Sequence, residues 1–224
     1  MMGRSAGGEP TPKNSAATDA VKRWHRASAA IVLCALLGLL FSAASLHADS
    51  QSALLYASSD VPLYAQASDH VAAARITPGT GLQPTGPASG GLQPVALEGW
   101  MQEGSATILF AAAGQRIVVA RLADTSAQPR ILSSTTDPYG NVWHETQLTG
   151  FVPATDLVAD QETVWAAARA LFSKRCSACH ALHHTNEFTA NQWPTILKTM
   201  TKNAALQPDQ AELVTRYLQA HAKP

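Results

Sequence analysis

The chain has 224 residues, 46% of them hydrophobic, so it is long enough to bury a core and suits one ordinary domain or two small ones. The chain has 16 basic residues (lysine and arginine) and 16 acidic residues (aspartate and glutamate). These charges are scattered along the sequence, which argues against nucleic acid as a partner. Three cysteines are too few for a disulfide framework.

The first patterned segment is an apolar run at residues 27–48, preceded by the basic cluster KRWHR. A bilayer core takes about 20 apolar residues as a helix, and basic residues before the run keep the N-terminus in the cytoplasm. We therefore predict a disordered cytoplasmic N-terminus at residues 1–26 and a transmembrane anchor at 27–48, with the remainder exported. Ser42 and Ala44 also permit cleavage as a signal peptide, and that alternative stays open.

Residues 51–160 indicate a small all-β module. Short apolar stretches such as ATILFAA and QRIVVARL alternate with turn-rich pieces such as PGTGLQPTGPASGG. Two segments are alike, LEGWMQEG and LTGFVPATDL, and place Gly99 and Gly150 before an aromatic residue. This pattern is typical of strands that close an SH3-like barrel, so we predict an SH3-like module of one or two barrels. Two similar strand ends in one sandwich are the alternative.

Residues 161–224 change to a helical period, and we predict a small all-α domain there. The stretch DQETVWAAARALFSKR carries its apolar residues on one face, and Asp160 can cap its start. The last helix, PDQAELVTRYLQAHA, begins with Pro208, a residue favoured in a first helical turn. The predicted fold class is thus α+β with an N-terminal transmembrane helix.

Between these two helices we predict a third, in the stretch FTANQW and beyond. Thr189 at the N-cap with Gln192 three residues later makes a capping box, and Phe188 and Trp193 have the spacing of a hydrophobic staple. Pro194 removes one backbone hydrogen bond, so a kink or an early 3₁₀ turn is expected near it.

The stretch KRCSACHALHHTNEF carries the chemistry of the chain. Its pentapeptide CSACH is the c-type haem attachment pattern, in which Cys176 and Cys179 bond two vinyl groups and His180 ligates the iron. A three-helix domain of this size buries little surface, and a covalent porphyrin would stabilise it. We predict one covalently bound haem c.

The cysteine pair has two alternative uses, a redox-active disulfide and a zinc site. A thioredoxin-type pair opens a helix after a strand, whereas here a helix precedes the pair. A zinc site would need Cys176 and Cys179 with His183 or His184, which lack the longer intervening loop that lets two ligand pairs close around a metal. Both alternatives remain open but fit the pattern less well than haem.

The second iron ligand is predicted to be Met200, the one methionine after the haem motif. An ordinary core role for Met200 is the alternative, because methionine fills irregular cores, and His221 is the alternative ligand. His183 and His184 are too close to His180 to reach across the porphyrin, so we expect them to face solvent or a propionate. Three aromatic residues could line the haem or belong to the core: Phe172, Trp193 and Tyr217.

The region from about residue 61 onward resembles a known family. The stretches EGWMQEG, GQRIVVA, WHETQLTGFVPATDLV, CSACHALHHTNEFTANQW and RYLQAHAKP are similar to the C-terminal part of membrane-anchored pentahaem cytochromes c that serve trimethylamine-N-oxide and related reductases. In that family the anchor is followed by a tetrahaem module that takes electrons from quinol, then by the β region and a final haem. Cys176, Cys179 and His180 match the final haem site.

The resemblance implies a function narrower than that of the whole family. Because this chain has one C-x-x-C-H motif, direct quinol oxidation does not carry over. We predict an electron-transfer protein, not an enzyme, at the inner membrane with its domains in the periplasm. It would relay electrons from an upstream cytochrome or quinol-oxidising protein to a periplasmic, molybdenum-containing terminal reductase.

Two alternatives to this function are kept. One is a redox-sensing or scaffold subunit, whose β module binds a partner while the haem reports potential. The other is an enzyme that reacts at an open haem iron, which requires that Met200 is not a ligand.

Overall fold

The computed structural model describes residues 53–105, 107–124 and 129–224. The predicted N-terminal segment and anchor, residues 1–26 and 27–48, lie outside these ranges. Within them, no helix has the length and apolar character needed to span a bilayer. Strands occupy the first part and helices the second, so the α+β class is confirmed.

The β region, up to residue 158, contains ten strands in the described ranges, joined into one sheet. Their bounds are β1 Leu55–Ala57, β2 Val61–Leu63, β3 Ala74–Ile76, β4 Gly81–Pro84, β5 Leu92–Gln102, β6 Ile108–Phe110, β7 Val118–Leu122, β8 Arg130–Thr136, β9 Val142–Pro153 and β10 Leu157–Val158.

The two longest strands, β5 and β9, pair antiparallel along their whole length and organise the sheet. From the end of β5 the pairing continues through β6, β7, β3 and β2, and a bridge between Tyr64 and Phe151 returns it to β9. The pairing therefore closes into a ring. β4, β1 and β10 extend from the first half of β5, and β8 pairs with the first half of β9.

The two similar segments seen in the sequence begin in β5 and β9, and only their first residues stand opposite each other, because the strands are antiparallel. Leu97 stands opposite Leu148, each being the first residue of the shared pattern. A Cβ added to Gly99 would lie 3.1 Å from a backbone oxygen of β6, and one added to Gly150 would lie 2.5 Å from the backbone oxygen of Tyr64. Because neither glycine has a side chain, β6 can approach the long pair closely at Gly99, and the chain directly after β2 can approach it closely at Gly150.

The interior of the ring is apolar because the strands alternate buried and outward-facing residues. The β core consists of Ala57, Val61, Leu63, Ala74, Ile76, Leu82, Val95, Leu97, Leu109, Val119, Ala120, Leu122, Leu148 and Val152.

Three helices follow in the described chain: α1 Gln161–Cys176, α2 Trp193–Thr201 and α3 Pro208–Ala220. The predicted cap of α1 is confirmed, since Asp160 Oδ1 accepts a hydrogen bond from the backbone N–H of Glu162 at 3.0 Å. The predicted start of α3 at Pro208 is also confirmed. A capping box between Gln207 and Gln210 fixes that start, and the sequence analysis did not identify it.

The predicted start of α2 was wrong. The helix begins at Trp193 with Gln192 at the N-cap, three positions after the expected N-cap, Thr189. Pro194 explains the difference: within a helix capped by Thr189 its missing N–H would break an internal bond, whereas in the first turn no such bond is needed. The predicted staple contact is present, with the rings of Phe188 and Trp193 5.0 Å apart and nearly perpendicular.

The helical domain is joined to the β region at the turn between β3 and β4. Gly79 has a φ of +71°, and a Cβ on it would lie 2.1 Å from the ring of Trp165 in α1. The side-chain amide of Gln161 donates to the backbone oxygen of Gly79 at 2.7 Å. The first turn of α1 therefore packs directly onto a left-handed backbone turn that has no side chain.

The turn between β8 and β9 contains an acidic group with a depressed pKa. Asp137 accepts hydrogen bonds from the Asn141 side chain (2.8 Å), from Trp143 Nε1 (3.0 Å) and from two backbone N–H groups, and these lower its pKa from 3.8 to about 2. A lowered folded-state pKa gives stability that is present above the unfolded pKa and is lost as pH falls through the folded pKa.

We therefore expect the indole N–H resonance of Trp143 to keep its shift on acidification to about pH 4 and to move only as the pH approaches about 2. Proton NMR of the indole region measures this. Asp137→Asn should lack the transition. A midpoint near 3.8 in the wild type would contradict the observed hydrogen bonding.

Candidate functional site

The cysteine pair lies at the C-terminal end of α1. Cys176 is the last residue of α1, and its side chain is 8% exposed, whereas Cys179 is exposed in the following turn. Both are free thiols, and burial raises the pKa of Cys176. The apolar cluster that buries Cys176 consists of Val164, Trp165, Ala168, Phe172, Trp193, Leu197, Val214, Tyr217 and Leu218.

The position of Cys176 bears on the rival uses of the pair. The thiols follow a helix, and the sheet that precedes them is antiparallel, unlike the parallel βαβ unit of a thioredoxin-type site. A zinc site would need several ligands around one point. In the described ranges no group of three or more histidine, cysteine, aspartate or glutamate side chains has that arrangement.

His180 is held in one tautomer by the backbone. Its Nδ1 lies 2.6 Å from the backbone oxygen of Ala181, and since a carbonyl oxygen only accepts, Nδ1 carries the proton. The lone pair is then on Nε2, which is free to bind a metal. A backbone carbonyl that fixes the other ring nitrogen is the usual outer partner of a ligating histidine.

His183 lies in a group of rings and is partly exposed. Its ring centroid is 5.4 Å from those of both His180 and Phe188 and 6.5 Å from that of Trp193, and its Nδ1 lies 2.9 Å from a carboxylate oxygen of Glu187. The expectation that His183 faces solvent or a propionate stays a prediction. Sequence spacing did not predict the ring contacts, because the loop folds the ring back towards α2.

Trp193 fixes the loop that carries these histidines. Its side chain is fully buried at the start of α2, and its indole N–H donates to the backbone oxygen of Thr185 at 2.9 Å. The loop after His180 is thus attached to the helical cluster by a ring and a hydrogen bond. The three aromatic residues that could line a haem are all buried in this cluster: Phe172, Trp193 and Tyr217.

The two candidates for the second iron ligand occupy different places. Met200 is half-buried in the last turn of α2. His221 packs against Trp165 at 6.1 Å, and its Nδ1 contacts the backbone oxygen of Tyr217 at 2.8 Å. Trp165 lies roughly 16 Å along α1 from Cys176 at 1.5 Å per residue, so this position does not favour His221 as a ligand.

The residues present fit a covalently attached haem. One thiol faces an apolar cluster, the other is accessible in the same turn, and the adjacent histidine presents an unprotonated Nε2. Vinyl groups belong against the apolar side, and iron takes imidazole nitrogen as its proximal ligand.

Two family models match the chain. One, described as TorC third cytochrome c domain, matches residues 49–157, and the other, described as dihaem cytochrome c, matches residues 172–224. The first covers a region without cysteine in this chain, and the second covers the one C-x-x-C-H motif. Cytochrome c domains hold haem c covalently, which agrees with the chemistry of the site.

The relatives that match the chain are cytochrome c-type proteins named TorY or TorC. The cytochrome c-type protein TorY of Escherichia coli O157:H7 is 33% identical over 153 residues, covering 67% of this chain and 41% of that protein. TorC of Escherichia coli K12 is 29% identical over 171 residues, covering 75% and 44%. TorY of Haemophilus influenzae is 28% identical over 129 residues, covering 57% and 35%. The chain spans less than half the length of these relatives.

No solved structure matches the chain. The matches instead join the β region and the haem-motif region in the order that the sequence resemblance predicts, and the relatives are cytochromes rather than enzymes. The chain is therefore homologous to the TorC and TorY cytochrome c-type proteins, through regions that two cytochrome c family models match.

Proposed function

We propose that the protein is a monohaem cytochrome c that passes single electrons to a periplasmic, molybdenum-containing terminal reductase of the trimethylamine-N-oxide type. The observation that carries the proposal is the CSACH turn at the end of α1, with His180 Nδ1 bonded to a backbone oxygen. The relationship to TorC and TorY supports the choice of reductase.

Each site residue has a specific role in this proposal. Cys176 and Cys179 would form the thioether bonds to the haem, and His180 Nε2 and Met200 would ligate its iron. When bound, the haem supplies one-electron redox chemistry. The carbonyl of Ala181 raises the basicity of the His180 ring and holds its orientation, so this ligand moves little between redox states.

The β region carries no haem motif, so we assign it a binding role. We propose that it is an SH3-like module, because a ring closed where glycines admit a crossing strand is compatible with a small barrel. With a single C-x-x-C-H motif, electrons would enter from an upstream cytochrome or a quinol-oxidising protein.

The apolar run at 27–48 would anchor the chain in the inner membrane. Recovery of the protein in the membrane fraction, with release only by detergent, tests this. A soluble form starting near Ser45 would instead mean cleavage.

Haem attachment is tested with Cys176→Ala in the full chain, expressed together with a haem-attachment system. We expect a lower yield of covalently bound haem, because one thioether and the buried end of the site are lost and only the Cys179 thioether can form. Mass spectrometry and haem staining of a denaturing gel measure this. Ser177→Ala, between the cysteines, is the matched control and should retain the haem. A colourless wild-type protein would end the proposal.

Electron transfer is tested by stopped-flow mixing of the reduced protein with a trimethylamine-N-oxide reductase. Oxidation of haem in excess of the reductase should require both the reductase and its substrate, because the reductase accepts further electrons only after its substrate has reoxidised it. Binding to the reductase without haem oxidation would favour the redox-sensing or scaffold alternative.

A further inference from the structure

The helix α3 presents two different faces. One packs into the helical cluster with Val214, Tyr217 and Leu218. The other, with Glu212, Arg216 and Gln219, faces the β region and lines one wall of a cleft of about 880 Å³. The cleft therefore lies on the opposite side of α3 from the cluster that contains Cys176.

The cleft is held open by fixed contacts between the helices and the β region. Asn191 accepts from the backbone N–H of Arg116 at 2.6 Å and donates to the backbone oxygen of Gly114 at 3.1 Å. Gln219 donates to the backbone oxygen of Arg116 at 3.0 Å. Because these bonds join both walls through backbone atoms, the cleft is a preformed site rather than a loose gap between domains.

The far wall of the cleft is partly aromatic. Phe110 and Trp143 line it with their rings 5.7 Å apart in an edge-to-face arrangement. Asp137, at the same wall, is occupied by its bonds to Asn141 and Trp143. Its carboxylate is therefore not available to neutralise a cation elsewhere in the cleft.

Arg216 is the unusual residue of this cleft. It is 7% exposed, its Nε is buried without a hydrogen-bond partner, and no carboxylate of the described residues forms an ion pair with its guanidinium. The nearby carboxylate of Glu212 is paired with Arg121 instead. Burial lowers the pKa of Arg216 to about 10, so the side chain still carries its charge at neutral pH.

A buried charge without a partner is costly, and structures retain one mainly where something else completes it. Around Arg216, the one nearby carboxylate, that of Glu212, is paired with Arg121, so the two guanidinium groups leave one positive charge in excess. An arginine fork matches the geometry of a carboxylate, and a volume of this size is in the range of small-molecule sites.

We propose that the cleft between α3 and the β region binds a small organic anion, with its carboxylate on Arg216 and its planar or apolar body against Phe110 and Trp143. This ligand is distinct from a haem propionate, because Arg216 points away from the cluster that contains Cys176. Binding at this site would let the concentration of an organic acid influence the helical domain, which carries the haem motif.

The test uses the full chain and two probes of the same shape, 4-fluorobenzoate and the neutral 4-fluorobenzamide, observed by fluorine NMR. We expect line broadening for the benzoate and much less for the benzamide. Arg216→Met should weaken benzoate binding by about tenfold or more, the loss expected for a charge-assisted hydrogen bond. It should not lower the melting temperature, because an apolar side chain replaces an unpaired buried charge.

A second variant is expected to change the benzoate affinity in the opposite direction. Glu212→Gln removes the carboxylate that competes for the guanidinium groups, so benzoate binding should tighten. Arg75→Met, which removes an exposed arginine paired with Asp60 outside the cleft, is the control and should leave binding unchanged.

Three outcomes would overturn the inference. Equal broadening for benzoate and benzamide would show that charge is not recognised. Unchanged benzoate binding in both Arg216→Met and Glu212→Gln would place the anion elsewhere. Displacement of the benzoate by an equal concentration of inorganic sulfate would show a site for simple anions, with no part played by the aromatic wall.

Discussion

Met200→His is expected to lower the reduction potential of the haem by on the order of 0.1 V, within the roughly 0.8 V range over which axial ligands set such potentials. A thioether favours the reduced iron more than an imidazole does, so replacing one with the other stabilises the oxidised form. The weak far-red charge-transfer absorption of the oxidised protein should disappear with it. Potentiometric titration and visible spectroscopy measure both changes.

The control for this prediction is His221→Ala. His221 packs against Trp165 near the start of α1, so its removal should leave the potential and the far-red band unchanged. If the oxidised wild type lacks the band and the reduced wild type binds carbon monoxide readily, the iron has an open face. The relay then gives way to the enzyme or sensor alternatives.

Gly79→Ala is expected to destabilise the protein by about 3 kcal/mol or more, the sum of strain at a left-handed backbone position and of overpacking. The added Cβ would lie 2.1 Å from the Trp165 ring, a distance that requires the ring or the turn to move. Because this turn is where α1 packs on the β region, both parts should melt at a lower temperature. Denaturant unfolding followed by circular dichroism measures the loss.

Gly90→Ala is the matched control for Gly79→Ala. Gly90 also has a positive φ, +60°, but a Cβ there would have no atom within 4 Å, so it carries the backbone strain without the clash. The difference between the two variants isolates the contact with Trp165. Trp165→Leu in the Gly79→Ala background should recover part of the loss. Equal destabilisation by both alanines would mean that the contact contributes nothing.

Local signals in the sequence predicted the helices well where one residue decided the outcome. Asp160 and Pro208 mark the starts of α1 and α3 through cap and first-turn chemistry that depends on a few neighbouring residues. The start of α2 failed because two local signals conflicted. Thr189 with Gln192 satisfied a capping pattern, but Pro194 excluded the helix that this pattern would begin.

The closed ring of strands was less accessible to sequence reasoning. The similar segments around Gly99 and Gly150 indicated a relation between two strands, but not that these strands pair with each other. Pairing between distant segments depends on which register buries both apolar faces, and a single strand does not carry that information.

The residues of the candidate site also differ in how far the sequence alone predicts them. Spacing predicts Cys176, Cys179 and His180 as the haem-attachment residues, because haem attachment fixes residue types along the chain. The ring contacts of His183 depend on how the loop folds back onto Trp193. Arg216 was missed altogether, since an arginine on an amphipathic helix is ordinarily assigned to the solvent face.

The pairing of β5 with β9 has a consequence for the order of folding. It joins segments from Gln102 with Trp143 out to Leu92 with Pro153, and contacts so far apart in sequence form slowly because the intervening chain must first be restrained. The turn at Gly79 joins β3, which pairs with β7, to β4, which pairs with β5, so it belongs to the same sheet, whereas the helices are local structures that form quickly. The surface on which the Trp165 indole packs therefore forms only when the sheet has assembled. We expect sheet assembly to limit the rate at which the haem-motif segment reaches its final position.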